Sequence, residues 1–249
     1  MDFEKDVNLL LTAKEYFENL EKEKQDRKNH TLIETGKECI ENFNVNLLPN
    51  FNGFKYPYVN LEMKYMRLIT DLDTTNELIK EVTDIWGKIT NRKISPEILV
   101  YNTYFYNRLQ KLSQYIVFDL KHFIDETIAT IWIIYNNSQT DSIVVADIGD
   151  YLKDGNKDFK ILDNFIDLFK KMNDLFNSYK HSYLNTDFFN IGRDEPCFLA
   201  LGSKSRSLST TATPYCISMN YIINEFNRFY KESFTLIDTL TKAYKIEDK

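Results

Sequence analysis

The sequence predicts an all-α protein, a helical bundle of long antiparallel helices with one small β-hairpin before the C-terminal helix. Three observations carry that expectation. Glycine and proline, the usual punctuation of many-stranded β folds, number only 7 and 5 in 249 residues. Apolar side chains recur at three- and four-residue spacing over most of the chain. A hydrophobic content of 43% is enough for a full core, which disfavours disorder.

The elements follow in order. From Lys5 to Lys24, Val7, Leu10, Ala13, Phe17 and Leu20 mark a surface helix, and the charged run Glu21 to Lys28 reads as a solvated face or turn. A second helix, Leu32 to Leu48, ends at Pro49, and the aromatic segment from there to Pro57 has turn formers without helical period. Two further helices are expected at Asn60 to Asp71 and Asn76 to Thr90, with Thr74 or Thr75 capping the second. Ser95-Pro96-Glu97 supplies a cap, a first-turn proline and an acid, so the central helix starts there and continues to the polar Asn136-Asn137-Ser138.

After Ile143-Val144-Val145 and a turn at Asp154-Gly155-Asn156, a helix from Phe159 to Leu184 sets Ile161, Phe165, Leu168, Met172, Leu175, Phe176 and Tyr179 along one stripe. Pro196 to Leu201 and Pro214 to Met219 read as paired strands joined by the Ser/Thr-rich connector Gly202 to Thr211. A last helix runs from Asn220 to Tyr244. No internal repeat is evident. The turn at Thr90 to Ser95 is the candidate boundary between an N-terminal helical region, 1–93, and a second region, 94–249, which could also share one core.

A net charge of -6 and a pI near 5.3 exclude a broad basic surface for nucleic acid, leaving room for a local basic groove. The amino terminus lacks the order of a signal peptide, and Ile128 to Tyr135 is far shorter than the ~20 apolar residues of a membrane span. Cys39, Cys197 and Cys216 form no CxxC pair and read as reduced thiols, those on the strands buried as small apolar groups. The compartment expected is cytoplasmic, with no membrane association. Phosphate loops, nucleophile elbows and dinucleotide fingerprints are missing, so no cofactor is expected. Asp119, Lys121, His122, Asp125 and Glu126 cluster on the central helix, yet with 3 histidines in the chain and no His-Glu-x-x-His a metal site is disfavoured. Lys204 and Arg206 in the connector read as a hairpin loop that could touch phosphate. The 18 Phe and 16 Tyr are spread through the helices and serve packing before base stacking.

At about 100° per residue, the stripe of Phe165, Met172 and Tyr179 lies nearly opposite Lys170, Asp174, Asn177 and His181. His181 on such a face can act as acid or base near neutral pH, and Asn177 one turn earlier can meet a common ligand. The bland alternative is that His181 only satisfies or complements the helix C-terminus.

Asn177, Lys180 and His181, in the run Phe176-Asn-Ser-Tyr-Lys-His-Ser182, resemble the Asn-x-x-Lys-His variant found in divergent HEPN domains. The order of strands and final helix after them also resembles that family, over roughly Ser95 to Tyr244. The resemblance implies a helical bundle whose ribonuclease members pair an Arg four to six residues ahead of the His, with the site assembled in a homodimer. It implies a metal-independent ribonuclease of toxin or phage-defence type, with His181 as acid or base and Asn177 and Lys180 orienting phosphate. The Arg positions are held instead by Asp174, Leu175 and Phe176, leaving Lys170, Lys171 or Lys180 as substitutes. Lysine is a point charge without the guanidinium fork. The competing expectation is therefore a non-catalytic module that binds RNA, nucleotide or a protein partner, or dimerises, without cutting.

Overall fold

The computed structural model describes residues 61–91, 103–136, 143–153, 159–181, 195–202 and 213–247, without the side chains at 61–65, 88–91, 103–106, 181 and 241–247. The chain divides into two compact units, Met1–Thr31 and Leu32–Lys249, and all described residues belong to the second. The expected helices at Lys5 to Lys24 and Leu32 to Leu48, the loop from Pro49 to Pro57, the helix start at Ser95, the turn at Asp154 to Asn156 and the basic connector with Lys204 and Arg206 lie outside the described residues.

The described fold is mostly helical, with one antiparallel hairpin ahead of the last helix. Its elements are α1 (Leu61–Asn91), α2 (Thr103–Tyr135), α3 (Ile148–Tyr151), a 3₁₀ turn (Asp163–Phe165), α4 (Ile166–His181), β1 (Cys197–Gly202), β2 (Thr213–Ser218) and α5 (Met219–Glu247). No described helix is long and apolar enough to cross a membrane.

The two helices expected on either side of Thr74 and Thr75 are one helix. Neither threonine caps anything. Their hydroxyls turn back onto the carbonyls one turn earlier, Thr74 to Thr70 at 3.4 Å and Thr75 to Asp71 at 2.9 Å, and no proline interrupts the helix. Helix α1 then packs on α2, with Arg108 forking onto both carboxylate oxygens of Glu81 at 2.8 and 2.9 Å.

Helix α2 is the centre of the core. Leu120, Ile124, Ile128 and Ile131 are fully buried, and Phe123 meets Phe226, Tyr230 and Phe234 of α5. From α4, Phe169 packs edge-on to Phe229, as does Phe165 just before it. Aromatic rings in these geometries contribute about 0.5–1.5 kcal/mol per pair beyond their burial.

The helix expected from Phe159 begins only at Ile166. Tyr151 accounts for the delay. Its hydroxyl accepts from the Leu162 amide at 3.1 Å and donates to Asp163 Oδ1 at 2.8 Å, which diverts that stretch from helical pairing. Burial first, and the Asp163 bond second, push the Tyr151 phenol well above its ordinary range. Phe159 is buried beside Tyr135 and Tyr151, and Ile161, expected on the core stripe, is exposed in the turn.

The strands fall within one residue of their expected limits. They pair from Cys197 opposite Ser218 to Gly202 opposite Thr213, burying Phe198 and Ala200 on the inner face. Ser218 ends β2 and also caps α5, its hydroxyl accepting from the Tyr221 amide at 3.1 Å, so strand and helix join without a loop. Cys216 departs from expectation. It is exposed on the outer face, while Cys197 is half-buried with its thiol 3.6 Å from the Glu195 carbonyl.

Candidate functional site

The candidate site is the carboxyl-terminal half of α4, where the sequence singled out Asn177, Lys180 and His181. Leu168, Met172 and Leu175 form the buried face of this helix, as the apolar spacing predicts. Lys170, Asn177 and Lys180 are exposed, Asn173 is half-buried, and the four fall at offsets 0, 3, 7 and 10, which helical geometry gathers into one stripe. His181 is the last residue of the helix. Its side chain, and so any meeting with Asn177 or Lys180, lies outside the described residues.

One side of α4 carries the hairpin. Ser178 is buried at 4% exposure, and a Cβ placed on Gly202 would stand 2.9 Å from its hydroxyl and 2.5 Å from the Tyr215 ring. Gly202 thus lets the strand end approach the helix where any other residue would push it away.

Asp174 belongs to this covered side. The sequence placed it on the open polar face with Lys170 and Asn177, whereas it is half-buried, and burial raises its carboxyl above the ordinary range. Tyr215 is raised by burial first and by the Asp174 charge second, which puts the two side chains within electrostatic reach. The periodicity could not anticipate this. A hairpin arriving later in the chain covers part of a face that the helix alone leaves polar.

Further along the same side, Lys171 and Tyr221 of α5 both bond the Asp167 carboxylate, and the Lys171 ammonium stands 4.7 Å over the Tyr221 ring. The Lys171 bond first, then the Tyr221 hydroxyl, hold Asp167 below the usual carboxylate range. Lys171 is therefore engaged in the α4–α5 contact. That leaves Lys170 and Lys180 as the exposed lysines of the described helix face.

The other side of α4 meets α2. Phe176 is half-buried with its ring 4.9 Å from Phe118, and the Lys121 ammonium sits 4.6 Å over it. Lys180, one turn on, approaches the same ring at 5.8 Å. Lys121 is only 6% exposed and bonds Asp125 at 2.5 Å, and Asp125 accepts the Ile148 amide at 2.9 Å at the start of α3. Burial raises the Asp125 carboxyl, opposed by the Lys121 and Ile148 bonds. The acid and base clustered on the central helix are thus a structural link from α4 through α2 to α3. Sequence reading missed this link, although the i, i+4 spacing of Lys121 and Asp125 was visible. His122 is exposed. No group of three or more potential metal ligands gathers among the described residues.

Comparison with family models, with curated proteins and with solved structures finds no match to the chain.

Proposed function

We propose that the chain is a HEPN-like helical module that binds a phosphate-bearing partner, RNA or a nucleotide, through the exposed stripe of α4, without cutting it. The observation that carries this reading is the use made of the three Arg-equivalent positions. Asp174 is half-buried against the hairpin, Leu175 is fully buried, and Phe176 packs on Phe118 beneath Lys121. None brings a cation to the motif. Phosphoryl transition states gain most of their stabilisation from positioned positive charge, so an acid at that offset opposes cleavage.

Binding asks for less. Lys170 and Lys180 bracket Asn173 and Asn177 on the exposed stripe, a set of donors suited to phosphate oxygens. The bundle architecture belongs to the same reading. Thr75 meeting Asp119 while Glu81 meets Arg108 is the pairing that antiparallel neighbours produce, and it supports a HEPN-type arrangement of the long helices.

The purified protein incubated with RNA in the presence of a chelator, beside His181→Ala, tests the non-cutting half of the proposal. Both are expected to leave the RNA intact. Cleavage by the wild type that disappears in His181→Ala would establish the ribonuclease instead.

A further inference from the structure

A count of protons at the α1–α2 contact points to an inference independent of the α4 surface. Thr75 is fully buried, and its hydroxyl oxygen stands 2.9 Å from the Asp71 carbonyl and 3.1 Å from Asp119 Oδ2. A hydroxyl has one hydrogen. If Asp119 is ionised, both neighbours are acceptors, and the single hydrogen must serve one of them or be shared more weakly between the two. If Asp119 carries a proton, the chain closes: Asp119 donates to Thr75, and Thr75 donates to the Asp71 carbonyl.

We propose that the α1–α2 joint is a proton-dependent clasp, in which the acid form of Asp119 donates to Thr75 Oγ1 and draws the two helices together as the pH falls. The surroundings favour the acid form. Asp119 is half-buried, and the Asp71 carboxylate of α1 discourages a second negative charge. Two groups act in the opposite sense, the Thr75 hydroxyl where it donates to the ionised carboxylate and His122 of the same helix. Among the described residues Asp71 and His122 are the charged or titratable groups that bear on Asp119.

The direction follows from linkage. A carboxyl whose titration is raised by folding binds its proton more tightly in the folded chain than in the unfolded one. Above its folded midpoint the ionised group costs stability. That cost is relieved as pH falls through the window from the raised midpoint down to the ordinary value of 3.8.

The test is the ¹³C titration of the Asp119 carboxyl by NMR, in the full chain and in Thr75→Val. The clasp predicts a wild-type midpoint above 3.8 that moves down in Thr75→Val, because the variant loses the acceptor that favours the acid form. A midpoint that moves up in the variant, or a wild-type midpoint at or below 3.8, overturns the proposal, since Thr75 would then be donating to an ionised carboxylate. Asp119→Asn decides the matter if Thr75→Val does not fold, because its amide donates at every pH. It should melt at or above the wild-type temperature at about pH 8, with the difference closing on acidification. A variant that melts below the wild type at that pH contradicts the clasp.

Discussion

Replacing Asp125 by alanine is expected to lower the stability of the folded chain by about 3 kcal/mol, because it strands a buried ammonium. The Lys121 side chain is 8% exposed, and its carboxylate partner stands 2.5 Å away. The same carboxylate accepts the Ile148 amide, so the substitution also orphans a backbone donor at the start of α3. For a chain of this size, thermal unfolding should shift downward by roughly 6–12 °C. Asp125→Asn keeps an oxygen for Ile148 and should lose less than half as much. Lys121→Met, which removes the charge rather than its partner, should also be milder, since Asp125 is already disposed to take a proton by its burial. Thermal melts of the three variants side by side check this ordering. Equal losses in all three would mean that packing, and not an uncompensated charge, sets the cost.

Phe229→Ala carries a comparable penalty for a different reason. Its ring is fully buried and packs edge-on to Phe165 at 5.2 Å and to Phe169 at 5.6 Å. Truncation opens a cavity where three rings meet and should cost about 3–5 kcal/mol. Phe229→Leu keeps most of the volume and should cost about 1–1.5 kcal/mol. Tyr115→Ala is the control, because Tyr115 is exposed and such a change should stay within about 0.5 kcal/mol. Urea unfolding of the three variants reads the differences directly. A cost for Phe229→Ala no larger than that of the surface control would show that the α4–α5 contact is not part of the core.

What the sequence made legible was periodic or punctuated. The hairpin was bounded by Pro196 and Pro214 and by short apolar runs, and its strands lie within a residue of those marks. The end of α2 was set by consecutive polar residues after Tyr135. Elsewhere a local signal was overruled by a distant partner. Thr74 and Thr75 look like caps, but their hydroxyls can bond within a helix, and Thr75 finds Asp119 on another one. Phe159 to Leu162 have helical spacing, but the Tyr151 hydroxyl claims the backbone there.

The candidate site divides in the same way. The buried stripe of α4 was readable because it is a single-helix property, as was the exposure of Lys170 and Asn177. The burial of Asp174 and Ser178 was not, because it depends on Gly202 and Tyr215 returning from the hairpin. Phe176 fitted the core stripe by period, yet its ring contacts come from Phe118 and Lys121 on α2.

Central to the proposed function is the exposed stripe of α4 as the holder of a phosphate-bearing partner. Its most direct test is the fluorescence anisotropy of a labelled single-stranded RNA, titrated with the wild type and with Lys170→Glu and Lys180→Glu across a series of salt concentrations. The account predicts saturable binding that weakens with salt, with each charge reversal lowering the affinity and reducing the salt slope by about one unit. Binding with the same affinity and salt slope in all three proteins would contradict it, as would a wild type that binds neither this RNA nor a labelled nucleotide.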